Sequence, residues 1–344
     1  MNSAIPILVV SSAAFLVAML ATPAVTKLLK LLKLGKQIRS EASAPIFSKL
    51  HAAKSGTPTM GGILIWGAVL VLAFTLSLAA NVLRTEPWIS LNFISRRETL
   101  LPLAALFFAA IVGLIDDYLN VRKIGADGGG LKVWHRLVSY SVIAAVAAWW
   151  FYFRLEWDVL RVPFVGIVEV GAWMLPLFFF IIIATAFSVN ETDGLDGLAA
   201  GTLLTAFASY GAIAFLQGKY DLATFCGAVV GALLAFLWFN INPARFFMGD
   251  TGAMSLGVTL GVVAMLTNSL LLLPIIGLVF VLESLSVIIQ VASKKIRKKK
   301  VFLSAPIHHH FEAKGWPEPT IVMRFWVVAA VSGVLGLIVS LLDR

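Results

Sequence analysis

Charge is what this sequence has least of. Only 13% of its 344 residues are Asp, Glu, Lys or Arg, 60% are hydrophobic, and the mean hydropathy is +0.93. A water-soluble domain is about one quarter charged, so a soluble globular fold is excluded. Cysteine is almost absent as well. The one thiol, Cys226, sits in the apolar stretch FCGAVVGALLAF with no second cysteine to pair with, which excludes a disulfide framework and a thiolate metal site. The N-terminal run MNSAIPILVVSSAAFLVAML lacks the basic start and small-residue cleavage site of a signal peptide. A retained first span is therefore expected.

Long apolar runs fill the rest. A spanning helix needs about 20 mostly apolar residues, and ten segments qualify, near 4–32, 59–80, 99–116, 133–152, 171–188, 194–216, 222–239, 252–268, 270–292 and 321–342. The expected fold is an all-α integral membrane protein with ten transmembrane helices, forming one polytopic domain over residues 1–344.

The net charge of +9 could suggest nucleic acid, but the placement of the basic residues accounts for it otherwise. The odd-numbered connections carry 16 Lys and Arg, among them the run KKIRKKK, and the even-numbered connections with the termini carry 7. By the positive-inside rule the odd connections are cytoplasmic and both termini periplasmic. The basic run reads as an anchor to anionic lipid.

That orientation puts the polar motifs on one face. In order they are HAAKSGTPTMGG, IDDYLNVRKIGADGGGLK, SVNETDGLDGLAAG, FNINPARFFMGDTG and APIHHHFEAKGW. Acids scattered at random would populate both faces, so a single cytoplasmic site built from several loops is expected. Asp193 and Asp250 each precede a predicted span and could serve as helix caps, with Asp196 on the same helical face as Asp193. Asp116 and Asp117 resist that explanation. They end an apolar span, where the helix dipole disfavours negative charge, and a divalent cation or a Lys should neutralise them. The candidate ligands (Asp116, Asp117, Asp193, Asp196, Asp250, Asn240 and Asn242) are all oxygen donors, which suit Mg²⁺ or Mn²⁺ and a phosphate-bearing substrate. His308, His309 and His310 could donate hydrogen bonds to phosphate or move a proton, whereas the isolated His51 and His135 read as structural. Glu283 is the one acid deep within a span, a functional candidate that a hydrogen bond to Ser or Thr would equally explain. Asn190 opens an N-glycosylation pattern, but on the cytoplasmic side.

Together the motifs GTPTMGG, GLIDDY, NETDGLDGLAAG, FNINPARFFMGDTG and APIHHHFEAKGWPEPTIVMRFW resemble the bacterial phospho-N-acetylmuramoyl-pentapeptide-transferase (MraY) family, over about Lys54 to Trp326. The histidine segment is the most specific of them. The resemblance implies an enzyme of peptidoglycan biosynthesis in the bacterial cytoplasmic (inner) membrane. With Mg²⁺ it would transfer phospho-MurNAc-pentapeptide from its UDP carrier to undecaprenyl phosphate, giving lipid I and UMP. It implies Asp116, Asp117, Asp250 and His308 as catalytic positions, Asp116 as base or nucleophile and Asp250 as the magnesium ligand. Lys54, Thr59, Asn190, Asp193, Asp196, Asn240, Phe247, Gln290, His309 and His310 would surround the substrate. Lys132 is paired with the family's lysine after the acidic motif, although Asn120 and the glycines of GADGGGLK intervene here. The partners implied are UDP-MurNAc-pentapeptide, undecaprenyl phosphate and membrane lipids, with no nucleic acid; a homodimer is allowed but not required. Two alternatives stay open: the same chemistry with a UDP-N-acetylhexosamine donor, and a cation-coupled transporter.

Overall fold

In the computed structural model, residues 3–35, 54–125 and 129–343 are described; His51 lies outside them. The chain is a bundle of long helices: α1 (Ala4–Leu31), α2 (Ile63–Leu83), α3 (Arg97–Val121), α4 (Val133–Trp149), α5 (Met174–Thr192), α6 (Leu198–Leu216), α7 (Tyr220–Asn240), α8 (Asp250–Leu266), α9 (Leu278–Arg297), the short α10 (Ile307–Ala313) and α11 (Glu318–Leu342). Apolar runs of this length fold as helices because lipid offers the backbone no hydrogen-bond partners, so each N–H and C=O must be satisfied within its own segment.

Among the described residues, eight helices are long and apolar enough to cross a membrane, and nine if the bent pair Leu270–Ile276 and α9 counts as one span. The expected span at 252–268 is α8, an apolar helix of 17 residues buried from Thr251 to Leu266. It forms the axis of the bundle, packed by α3 and α5. Missing side chains allow this approach: a Cβ on Gly113 of α3 would lie 2.5 Å from the Asp250 carbonyl oxygen, and one on Gly62 would lie 2.3 Å from the Gly252 Cα. Helices in lipid commonly associate through such small residues. By contrast α1 and α11 bury only 17% and 22% of their apolar windows, leaving most of their surface for lipid.

One expectation needs correction. The segment 270–292 is not one straight span; it breaks at Gly277 into two helical pieces bent by 82°. Leu270–Leu272 is a tight 3₁₀ turn, Pro274 opens the next turn, and Gly277 (φ −96°, ψ 28°) leaves helical geometry. An uninterrupted apolar composition conceals this break. The all-α class holds, with one small addition. Between α4 and α5 an antiparallel hairpin pairs β1 (Val159–Val162) with β2 (Gly166–Glu169), in the register Val159↔Glu169 to Val162↔Gly166.

The helices alternate in direction, so the ends of α1, α3, α5 and α7 meet the starts of α2, α4, α6, α8 and α11 at one end of the bundle. Short backbone bonds lace that end: Thr59 N–H to Leu34 O (2.9 Å), Gly61 N–H to Phe247 O (2.8 Å), Gly62 N–H to Met248 O (2.9 Å) and Phe247 N–H to Pro58 O (2.8 Å). The hairpin lies at the opposite end, where Arg161 pairs with Asp343 at 2.6 Å. Both described chain ends lie there too.

Candidate active site

The paired acids divide their work. Asp117 is buried, and its two oxygens accept from the backbone amides of Asp250 (3.1 Å) and Thr251 (3.0 Å). It thus caps α8 from a neighbouring helix, setting its charge against the positive end of the α8 dipole. This offsets its unfavourable place near the C-terminal end of α3, which runs about a turn beyond the expected span, to Val121. Gly249 makes the approach possible, with φ +74° and no side chain to push Asp117 Oδ2 and Thr59 Oγ1 away.

Asp116 faces a cation. Its Oδ1 accepts from the Leu131 amide at 2.5 Å, and its Oδ2 lies 2.7 Å from Arg136 Nε. That N–H is not directed at the oxygen, so the contact is an ion pair without a hydrogen bond. Arg136 Nη1 reaches Asp250 Oδ2 at 3.2 Å, and Asn190 Nδ2 donates to Asp250 Oδ1 at 2.8 Å. One guanidinium in the first turn of α4 therefore joins the acids of α3 and α8. The expected neutralising partner is a divalent cation or a Lys; the side chain that the protein itself supplies is an Arg. Lys132, expected at the substrate, is exposed at the start of α4, and no ion pair between it and these acids is found among the described residues.

A second polar group surrounds Lys54. Its Nζ lies 2.7 Å from Asp196 Oδ1 and 2.5 Å from Glu318 Oε1, and 5.9 Å from the centre of the Phe247 ring. Asp196 Oδ2 accepts from Asn242 Nδ2 (2.9 Å) and the Ala244 amide (3.1 Å). Asn240 fastens two loops together, accepting from the Gly197 amide at 3.0 Å and donating to Phe246 O at 2.8 Å. The expectation that Asp193 caps the sixth span, with Asp196 one helical turn along, is corrected. Asp193 ends α5, α6 begins only at Leu198, and 193–197 form a non-helical turn with Gly197 at φ +81°.

The histidines have separate tasks. His308 is fully buried, with Nδ1 2.9 Å from Glu283 Oε2 and its ring against Gly194. His309 Nδ1 lies 2.6 Å from Glu312 Oε2. His310 Nδ1 accepts from the Leu303 amide at 3.1 Å, and burial followed by the charge of Lys314 holds its pKa below the usual imidazole value. Accepting at Nδ1 requires the uncharged ring, in agreement with that direction. Gln290 clamps the chain onto α9: its Oε1 takes the amides of Val301 and Phe302 at 3.0 Å, and its Nε2 donates to Phe302 O at 2.9 Å. His135 is exposed.

The structure thus gathers Thr59, Asp116, Asp117, Asn190 and Asp250 around the start of α8. Lys54, Asp196, Asn240 and Phe247 lie in the adjoining loops, and His308 adjoins the 193–197 turn. Sequence reasoning missed Arg136 and Glu318. Arg136 was counted inside an apolar span, although a basic residue one turn into the helix after an acid-ended one was a usable signal. Glu318 opens α11, where a carboxylate suits the helix dipole. Among the described residues, no group of three or more His, Cys, Asp and Glu is arranged as a metal cage. The donors that converge are carboxylate oxygens, and Asp116 Oδ2 accepts no hydrogen bond, so the site fits a hard cation held by one or two carboxylates and substrate phosphate.

Known proteins match this sequence along nearly the whole chain. Residues 99–268 match glycosyl transferase family 4, and residues 54–65 match phospho-N-acetylmuramoyl-pentapeptide-transferase signature 1. A phospho-N-acetylmuramoyl-pentapeptide-transferase of Chloroflexus aurantiacus is 39% identical over 323 residues, covering 90% of this chain and 83% of the relative. One of a Geobacillus species is 39% identical, covering 95% of each chain, and one of Geobacillus thermodenitrificans is 38% identical, covering 97% and 98%. The acid-bearing helix ends α3 and α8 lie inside the family 4 match and Lys54 and Thr59 inside the signature, so the chain belongs to the phospho-N-acetylmuramoyl-pentapeptide-transferase family.

Proposed function

We propose that the protein is a multi-pass enzyme of the bacterial cytoplasmic membrane that transfers phospho-MurNAc-pentapeptide from UDP-MurNAc-pentapeptide to undecaprenyl phosphate, releasing UMP and forming lipid I. The observation that carries this reading is the Asp116–Arg136–Asp250 cluster, placed where several helix ends meet. There, a lipid phosphate held at headgroup level and a water-soluble nucleotide can reach one set of charges. Membership of a transferase family removes the basis for the transporter alternative, and the match to signature 1 favours the MurNAc-pentapeptide donor over a UDP-N-acetylhexosamine.

In this reading an oxygen of the acceptor phosphate attacks the β-phosphorus of the donor. The new P–O bond forms as the bond to UMP breaks, and UMP leaves with the electron pair. Little covalent work falls to the protein, so catalysis rests on positioning and charge stabilisation. Asp116 Oδ2, buried and accepting no hydrogen bond, takes any residual proton of the acceptor phosphate. Arg136 holds Asp116 and Asp250 together and faces the transferred phosphoryl group. Asp117 acts through α8, fixing Asp250 by its backbone. Lys54 and Phe247 face the nucleotide, with Asp196 and Glu318 orienting Lys54. Mg²⁺, held by Asp250 with Asp116 beside it, would supply charge neutralisation of the diphosphate and Lewis-acid polarisation. The membrane arrangement that goes with this is ten spans in one domain, counting α8 and the bent pair, with both termini periplasmic and the site cytoplasmic.

The test is UMP release by purified protein with undecaprenyl phosphate, run in parallel with UDP-MurNAc-pentapeptide and UDP-N-acetylglucosamine. Lipid-dependent release with the first donor and not the second is expected. Release with only the second would replace the donor assignment.

A further inference from the structure

Glu283 and His308 form a buried pair, both fully shielded from solvent, linked at 2.9 Å through Oε2 and Nδ1. Each also has a second polar atom with no hydrogen-bond partner, Glu283 Oε1 and His308 Nε2. Buried polar atoms are nearly always satisfied, and an exception needs an explanation. The surroundings supply one. A Cβ placed on Gly194 would lie 2.2 Å from His308 Nε2, so only glycine leaves room for the ring there. The free nitrogen therefore abuts the turn between Asp193 and Asp196, while the opposite side of the ring is fastened to α9. The bend at Gly277 turns α9 away from the preceding helical piece, and Glu283 lies one and a half turns along it. The adjacent polar groups are otherwise occupied: Ser284 Oγ donates to Glu191 Oε2 at 2.6 Å and contacts Ser188 Oγ at 2.8 Å.

We propose that Glu283 is a positioning residue: it holds the proton of His308 on Nδ1 and fixes the ring plane against Gly194, and the ring in turn sets the 193–196 turn that carries Asp193 and Asp196 beside the donor. A carboxylate accepting from Nδ1–H determines which tautomer an imidazole adopts, and thereby what its other nitrogen offers. This rests on the proposed transfer reaction, because it takes the 193–196 turn as part of that donor's site.

The test combines a spectroscopic readout with kinetics. Protein with ¹⁵N-labelled histidine is reconstituted in lipid nanodiscs, and the His308 signals are identified by their loss in His308→Asn. Wild type is expected to show the Nδ1-protonated pattern, and Glu283→Gln a shift of that pattern toward Nε2 protonation or tautomer averaging. Turnover of Glu283→Gln should fall at least about ten-fold, with the donor KM changed much less, the size usual for loss of an orienting partner. Ser284→Ala, which removes only the neighbouring hydroxyl contacts, should keep wild-type turnover and the wild-type pattern. If Glu283→Gln does not purify folded, Glu283→Asp decides: its carboxylate, drawn back by one methylene, should also lose the Nδ1 pattern. An unchanged pattern in the folded variant, or turnover equal to wild type, would overturn the inference. Absence of transfer in wild type would overturn the reaction instead, and the tautomer result would still stand.

Discussion

At the residue scale, the cation among the acids is the feature that most changes the chemistry. Arg136 presents a planar fork to two carboxylates on different helices, a geometry that a lysine ammonium does not reproduce. Removing it leaves Asp116 buried beside Asp250 with no protein cation between them. Arg136→Ala is therefore expected to lower turnover about 100-fold or more, the size of losing a preorganised charge at a reacting centre. Lys132→Ala, at an exposed position, should cost far less. Equal losses in the two variants, measured as kcat/KM, would contradict the assignment. Asp116 carries a second test. A nucleophile would trap the phospho-sugar as an acyl phosphate before lipid arrives, whereas a base leaves no covalent species. The base reading predicts no label on Asp116 after incubation with β-³²P-labelled donor alone and rapid denaturation. Stoichiometric label with a burst of UMP would require a two-step mechanism.

At the scale of elements, α8 is the part on which the site is hung. Its first amides are satisfied by Asp117 from α3 rather than by a residue of its own. Asp117→Ala should thus destabilise the fold by about 1–2 kcal/mol, as for loss of a helix cap. Asp250→Ala, whose side chain is partly exposed and makes no such cap, should unfold at nearly the wild-type temperature while losing transfer. Thermal unfolding of both in the same detergent compares them, and the reverse order of stabilities would refute the capping role. The bend before α9 belongs to this scale as well. It redirects the helix carrying Glu283 and Gln290, and so decides where the histidine segment docks.

For the whole molecule, the alternation of helices brings the polar connections to one end and both described chain ends to the other. By the positive-inside rule the distribution of Lys and Arg predicts that the polar end faces the cytoplasm. A cysteine at the exposed position 314, in a Cys226→Ala background, should react with a membrane-impermeant maleimide only after cells are permeabilised. Labelling in intact cells would reverse the orientation and place the site on the wrong side for a cytoplasmic nucleotide donor.

Hydropathy alone determined that the chain spans a membrane and where most of its helices run, because the cost of exposing backbone or charge to lipid acts on each segment separately. The same local logic marked Asp116, Asp117, Asp250 and His308, since acids and imidazoles at apolar helix ends are expensive unless used. Tertiary structure alone decided what each of them touches. That Asp117 caps α8, that Arg136 joins Asp116 to Asp250, that Glu318 holds Lys54 and that Glu283 meets His308 are contacts between residues 20 to 264 positions apart. No local pattern encodes such pairings; they follow from how the helices cross. The break at Gly277 and the hairpin at Val159–Glu169 escaped for a related reason. Mean hydropathy averages over the few residues whose backbone geometry departs from the helix, and it is packing against the neighbouring elements that fixes that departure.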